Sequence, residues 1–449
     1  STISVLPAEL LIEIFAYCVV NEPLSTISLR RVSWWWQELV DTSPRLWQTI
    51  ALDEADGNAF SEMQAAMWIQ RSKPLKYDIE LNVEDPDYIL PLLSPLLPSV
   101  DRWRSFRLSG KRDEEIMTEG LEITPDSLTH LHLCLHDYEQ DEFDDDEPRI
   151  TFSPISPGQN FSFALNLWVS KVPSLTLLPP LRFVHVTIAE GGSIGLHTQP
   201  KYILEFLTAC PELESFFLSG WPHDGPILEP LPVVNLPNLV TLHLKSTCFA
   251  RAFLSSFHTP RLENLYLSHL NVDFQLYGEY HDDGDSEDEA HDYSQSPWSD
   301  QATGMGLRKL INRCNPPIRI LEMDFCDMRT KDFRYVFDRL PLLEDFHIVA
   351  SDMSDKVIRL LRPIEARDSE GAGGDTLVRL RLPQLRRLRL TNCQRLSGKA
   401  IVESVMARVK WTDKEYPAYT LAEVAIAGCE RFSQWDRHVL STEIGSRLR

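Results

Sequence analysis

Residues 6 to 52, LPAELLIEIFAYCVVNEPLSTISLRRVSWWWQELVDTSPRLWQTIAL, are written in helical period. Pro7 suits the first turn of a helix, where its missing N–H removes nothing. Leu10, Leu11, Ile14, Phe15 and Cys18 then recur at helical spacing. After Pro23 a second amphipathic run carries Leu24, Ile27, Leu29 and Val32 into Trp36, Leu39 and Val40. Ser43-Pro44-Arg45-Leu46-Trp47 then turns the chain out of the last helix. Of these 47 residues 26 are apolar, a higher share than the 43 % of the whole chain. So short a segment has too little interior for that many large side chains, and part of its apolar surface implies a partner.

The run Leu6-Pro7, Glu9, Leu10-Leu11, Ile14-Phe15, then Val32-Ser33, Trp36 and Pro44-Arg45-Leu46-Trp47, resembles an F-box. The resemblance implies a small all-α domain over residues 1–52 that docks a Skp-family adaptor and, through it, the cullin of an SCF-type ubiquitin ligase. It also implies the contacts: Leu6, Pro7, Leu10, Leu11, Ile14, Phe15, Leu29, Val32, Trp36, Leu39, Leu46 and Trp47. The wording Thr42-Ser43-Pro44-Arg45-Leu46-Trp47, followed by Trp68-Ile69-Gln70-Arg71-Ser72 and Pro74-Leu75, is similar to the F-box family of mushroom-forming fungi. Members of such families usually carry basic residues ahead of the last-helix tryptophan. Here Trp34 and Trp35 stand there, which leaves open which tryptophan faces the adaptor.

Beyond residue 52 a phrase recurs. As L-x-x-L-x-L with apolar substitutes it stands at Leu128/Leu131/Leu133, Leu181/Val184/Val186, Leu213/Phe216/Leu218, Leu239/Leu242/Leu244 and Leu262/Leu265/Leu267. It continues at Ile318/Leu321/Met323, Leu343/Phe346/Ile348, Leu385/Leu388/Leu390 and Leu421/Val424/Ile426, with a looser copy from Trp103 to Leu108. A proline stands two positions ahead of the first leucine at Pro211, Pro237, Pro260, Pro341 and Pro383, closing the preceding loop. Half of the spacings fall near the roughly 20 to 29 residues of a leucine-rich repeat. Two are long, 53 and 56 residues, and each is either one repeat with a loop or two repeats. Pro74 to Leu81 reads as the first strand, and Met63 to Ser72 as a helix before it. Cys326, Cys393 and Cys429 stand three residues beyond their copies, at the asparagine-or-cysteine place of the repeat. The last two copies resemble the cysteine-containing repeats that follow F-boxes. The fold expected is therefore α/β: a leucine-rich-repeat solenoid over residues 53–449, a curved parallel sheet with helical or irregular returns, preceded by the F-box.

The net charge of −22 is local. Asp137 to Glu147 and Glu279 to Asp292 carry eight acidic residues each, and setting them aside leaves −6. They are expected to form acidic loops near 137–160 and 273–304. Ser286, ahead of Glu287-Asp288-Glu289, has the look of a site for an acid-directed kinase. No positive field exists to attract nucleic acid. The eight cysteines contain no C-x-x-C pair, and buried reduced thiols are expected. No span is long and apolar enough for a membrane, and Glu9 and Glu13 interrupt the one candidate leader. The cytoplasm or nucleus is the expected location.

Catalytic signatures are missing: there is no H-E-x-x-H, G-x-S-x-G or kinase set, and Gly371 to Gly374 lies in a charged polar stretch. His130, His132 and His136 could in principle hold a metal, but the repeat places the first two at solvent-facing strand positions. The expectation is a non-catalytic chain without cofactor or metal. Strand alternation sends the residues between the leucines to the opposite, concave side, where Phe183, His185, Phe217, His243 and Tyr266 form the candidate substrate surface. Two other readings stay open: a repeat protein with no role in ubiquitin transfer, and a receptor for an inositol phosphate through Arg379, Arg381, Arg386, Arg387 and Arg389.

Overall fold

The computed structural model describes residues 6–56, 58–83, 88–111, 129–136, 163–169, 183–189, 200–220, 231–247, 250–270, 303–326, 328–351, 353–366 and 377–449. Both acidic runs, Ser286 and the Gly371–Gly374 stretch lie outside them. The chain forms two compact units, Ser1–Thr198 and Gln199–Arg449.

The first unit opens with helices α1 (Ala8–Asn21), α2 (Ser25–Arg30) and α3 (Trp34–Asp41), and a 3-10 turn at Pro44–Trp47. Glu22 ends α1 by donating its N–H to the Cys18 carbonyl, and Pro23 follows. Ser33 starts α3 by accepting the Trp36 N–H at 3.2 Å, the usual work of an N-cap serine. Strand β1 (Thr49–Asp53) comes next, then α4 (Asn58–Arg71), β2 (Tyr77–Val83) and α5 (Ile89–Leu93). Strands β3 (Trp103–Lys111), β4 (His130–His136), β5 (Phe163–Val169) and β6 (Phe183–Ala189) complete the unit. Each strand pairs in parallel with the next, and Ile50 stands level with Ile79, and Ile79 with Phe106. The 52/53 boundary expected from the sequence therefore falls inside β1, which is itself the first strand; Pro74–Leu81 leads into the second.

One open reading is decided and one expectation shifts in this unit. The 53-residue interval contains an additional strand, β5, paired between β4 and β6. The copy at β6 is out of frame by two: Phe183, Val186 and Ile188 are the buried residues, where Leu181, Val184 and Val186 were expected. The pairing of β6 with β5 skips Val184, since Phe163 matches Phe183 and Ala164 matches His185. An unpaired residue of this kind is a β-bulge, and the one extra residue puts Phe183 on the same buried face as Val186.

In the second unit α6 (Pro200–Thr208) precedes β7 (Ser215–Ser219), and β9 (Thr241–Lys245), β11 (Asn264–Leu270), β12 (Ile320–Cys326), β13 (Asp345–Val349), β16 (Arg387–Thr391) and β17 (Glu423–Ala427) follow side by side. All are parallel and in register, so Phe216, Leu242, Leu265, Leu321, Phe346, Leu388 and Val424 form one buried row. Parallel neighbours require a crossover. The crossovers contain α7 (Ala250–Ser256), α8 (Thr303–Cys314), α9 (Thr330–Arg339), α10 (Asp355–Arg359) and α11 (Gly398–Glu415), and α12 (Gln434–Ile444) follows the last strand. These helices touch one another in sequence order. They cover the buried row: Phe337 of α9 stands edge-on to Phe346 of β13 at 5.4 Å. Short pairs lie outside the main sheet: β8 (Val234–Asn235) with β10 (Phe257–His258), and the antiparallel β14 (Ile364–Ala366) with β15 (Leu377–Arg379). Because β11 pairs directly with β12, the 56-residue interval is a single crossover with inserted chain, and α8 begins at Thr303, inside the span read as loop.

Entry to the strands and exit from them are built alike in successive copies. At entry the first leucine closes a tight turn over the proline: Leu239 donates to the Leu236 carbonyl across Pro237, Leu262 to Thr259 across Pro260, Leu343 to Leu340 across Pro341, and Leu385 to Leu382 across Pro383. Proline at the second place of such a turn has its φ already set. At exit Ser246, Ala350, Asn392 and Gly428 take left-handed φ of 49°, 45°, 53° and 63°. The first three donate their N–H to the next strand, to Ser268, Thr391 and Ala427. The residue after the turn is small and buried: Thr247, Ser351, Cys393 or Cys429. The Cys393 and Cys429 thiols point back to the carbonyls of Ile348 and Leu390 on the preceding strand, as Cys326 does to Leu267.

At Gly428 a Cβ would be in a left-handed conformation and against Asn392 Oδ1. Gly428→Ala should cost about 1–2 kcal/mol or more from the conformation alone, whereas Ala350→Gly should be neutral or slightly stabilising. Urea midpoints of the two variants check both signs.

Candidate functional site

Helix α1 carries two apolar stripes. Leu11, Phe15 and Val19 are buried, while Leu10, Ile14 and Tyr17, about 100° around the helix, are 52 %, 46 % and 75 % exposed. Val32 and Trp34 are exposed on the following segments. The inner stripe belongs to a small core. Phe15 meets Trp36 at 4.6 Å, and the buried Thr26 hydroxyl donates to the Leu46 carbonyl at 3.0 Å. Trp47 donates its indole N–H to the Val40 carbonyl at 2.8 Å and stands edge-on to Trp68 of α4 at 4.8 Å, with Arg71 over its ring. Asp41 holds Arg71 and Arg30 together.

This placement divides the twelve residues read from the sequence. Leu11, Phe15, Leu46 and Trp47 are at most 1 % exposed and serve the domain's own packing, so they cannot be surface contacts. Leu6, Leu29, Trp36 and Leu39 are half-buried, while Pro7, Leu10, Ile14 and Val32 are exposed. Among the tryptophans it is Trp34 that projects, and Trp36 leans on Phe15. Trp34 is one of the tryptophans between which the sequence left the choice open, while exposed Tyr17 was missed; the i, i+4, i+7 repeat of Leu10, Ile14 and Tyr17 was its signal.

The second candidate surface is the sheet face opposite the helices. Phe217, His243 and Tyr266 are level on neighbouring strands and half-buried. The Phe217 and His243 rings are 4.7 Å apart edge to face, and His243 and Tyr266 are 5.5 Å apart. His185 is exposed in the first unit. Phe183 is not a surface residue: it is 3 % exposed, because the bulge at Val184 puts it on the buried side.

Burial holds the His243 imidazole below the ordinary histidine range; Glu322 opposes this and Lys245 adds to it. His132 is lowered likewise, by burial first and then by His130 and Arg107. The rings of His130 and His132 stack at 6.2 Å, and among the described residues no group of three or more His, Cys, Asp or Glu could hold a metal ion. The basic cluster divides. Arg379 and Arg381 bond Asp338 of α9, whereas Arg387 and Arg389 both donate to Asp345 of β13, at 2.9 and 2.5 Å. Four of the five guanidinium groups thus serve two separate carboxylates, and the grouping seen in the sequence is no common pocket for them. No helix among the described residues is long and apolar enough to cross a membrane.

Two outcomes follow from these positions. Trp47→Ala removes a core ring and should destabilise the first unit by about 3–5 kcal/mol, read as a shift in the denaturant midpoint. A histidine whose folded pKa is lowered binds fewer protons folded than unfolded. Stability should therefore be full above the free value of 6.5 and decline as pH falls through it. His243→Gln should flatten that decline in unfolding curves taken from pH 8 to 5.5.

No curated protein matches the chain. Residues 3–53, the segment that builds the two-striped α1 and the Trp47 core, match the family model described as F-box-like, so the chain carries an F-box-like domain at this end.

Proposed function

We propose that the chain is a substrate-receptor subunit of an SCF-type cullin-RING ubiquitin ligase. One observation supports this above the others: within the F-box-like segment a second apolar stripe, Leu10, Ile14 and Tyr17, stands exposed beside the stripe that forms the core. A fold that leaves this much apolar surface on one short helix gains by covering it with another protein. F-box domains in general bind Skp-type adaptors. In this reading Leu10, Ile14, Val32 and Trp34 with their half-buried neighbours Leu6, Leu29, Trp36 and Leu39 face the adaptor, and the cullin joins through it. The body is read as a leucine-rich-repeat solenoid. Supporting that are the parallel strands whose leucines are buried in register, with turns of one kind at entry and exit. Its helix-free sheet face, with Phe217, His243 and Tyr266, holds a protein substrate. The chain performs no catalysis: it contributes proximity, raising the effective concentration of substrate near the ligase subunits.

The test uses the full chain co-expressed with a Skp-family adaptor. Leu10→Asp with Ile14→Asp should abolish co-purification while the melting temperature stays within a few degrees, since neither side chain is in the core. Truncating a central contact commonly costs ~2 kcal/mol or more, and burying an unpaired carboxylate costs further. Undiminished adaptor binding by the folded double variant would refute the assignment.

A further inference from the structure

The outward residues of the second unit's strands stand in straight rows. One row reads Phe217, His243, Tyr266, Glu322, His347 and Arg389 across β7, β9, β11, β12, β13 and β16. Its chemistry changes along its length. The first three are rings in mutual contact. Glu322 follows directly beside Tyr266, with a third of its side chain exposed, and its carboxylate lies 3.3 Å from His347 Nδ1 on its other side. Arg389 comes next, ahead of Ala425 on β17, and shares Asp345 with Arg387 from the row beside it.

Beside Tyr266, the buried Nε2 atom of His243 makes no hydrogen bond with a described residue. Burial first, then the carboxylates of Glu322 and Asp345, raise the Tyr266 phenol above its usual value, with Arg389 opposing them. The face of an aromatic ring attracts a cation by its quadrupole, and a carboxylate at the ring's side adds a charge-assisted hydrogen bond.

We propose that this row binds a basic peptide segment of a partner protein, with a lysine or arginine lying along Tyr266 and its charged head at the Glu322 carboxylate. The proposal rests on the reading of this face as the recognition surface and adds the chemistry of what it recognises. Charge favours such a partner over an acidic one at this point of the row, since the Glu322 carboxylate stands directly beside the Tyr266 ring. Arg389 sets the peptide's direction. Neighbouring strands lie ~4.8 Å apart, so Arg389, three strands from Tyr266, is ~14 Å away, the span of about four extended residues. An acidic residue some four positions from the basic one would meet Arg387 and Arg389, which have one carboxylate between them.

The experiment measures fluorescence anisotropy of nonapeptide libraries, with lysine, arginine, glutamate or leucine fixed at the centre, against the full chain held with its adaptor. Lysine and arginine libraries should bind more tightly than leucine. Glu322→Gln should weaken them about tenfold, the usual scale for losing a charged partner at a contact, and leave leucine libraries unchanged. Raising salt from 0.05 to 0.5 M should weaken the same libraries. Equal binding of basic and leucine libraries, or basic binding within twofold of the parent in Glu322→Gln, overturns the proposal. Glutamate or leucine libraries whose binding is lost in Phe217→Ala with Tyr266→Ala would leave the face a recognition surface and remove only the basic assignment. Libraries that respond to no change on this face remove both. Glu322→Gln is isosteric and half-exposed, so it decides the matter even where the double variant does not fold.

Discussion

A parallel strand cannot bond to the strand that follows it in sequence until the chain has travelled back to the starting edge, and that constraint shapes the second unit. Each return passes over the face where two apolar side chains per strand are buried, and each return helix touches the next. The strands themselves are five to seven residues long, too short to hold alone. Their hydrogen bonds come from neighbours on either side and their burial from the layer of returns, so no copy is self-sufficient. β17 is the outer strand of this sheet among the described residues, and Leu448 and Arg449 take part of its edge: Arg449 donates to the Val424 carbonyl at 2.8 Å and Leu448 bridges to Val424. An edge left bare would invite pairing with another chain.

What could be read from the residues follows from what repeats. The L-x-x-L-x-L frame and the proline ahead of it are fixed by burial and by turn geometry, and both are visible because each demands a residue type. The exit turn was invisible for the opposite reason. Ser246, Ala350, Asn392 and Gly428 share a left-handed φ and no common chemistry, and in the first three the backbone bond to the next strand stabilises the turn whatever the side chain. The cysteines showed half of this device; Thr247 and Ser351 take the same place in other copies without announcing it. The frame at β6 slipped by two because Leu181, Val184 and Val186 fit the L-x-x-L-x-L spacing as well as Phe183, Val186 and Ile188 do, and the unpaired Val184 lets Phe183 be buried together with Val186. Trp47 was misassigned on the adaptor surface because a family signature records which residues matter, and packing and contact both matter. Only the indole bond to Val40 and the ring of Trp68, supplied by a helix outside the signature, place it inside. The arginine cluster shows the converse, for nearness in sequence does not survive alternation and a change of element: Asp338 and Asp345 draw its members apart.

Both candidate surfaces lie at positions the fold itself does not use, and this makes folding and recognition separable. On α1 the core claims Leu11, Phe15 and Val19, which leaves Leu10, Ile14 and Tyr17 free to change without opening a cavity. In the sheet the core claims alternate residues, which leaves Phe217, His243, Tyr266 and Glu322 on the other side. Separation has a cost that shows where such residues break local rules. A valine or tryptophan more than half exposed, or an imidazole nitrogen buried without a bond, is unfavourable in the isolated chain. At the two candidate surfaces such features differ in kind. In the F-box-like segment they are apolar, which suits a permanent, dry contact; on the sheet face they mix rings with charge, which suits selection among many similar sequences. The two surfaces therefore differ in the way an adaptor common to many complexes and a substrate particular to one would require.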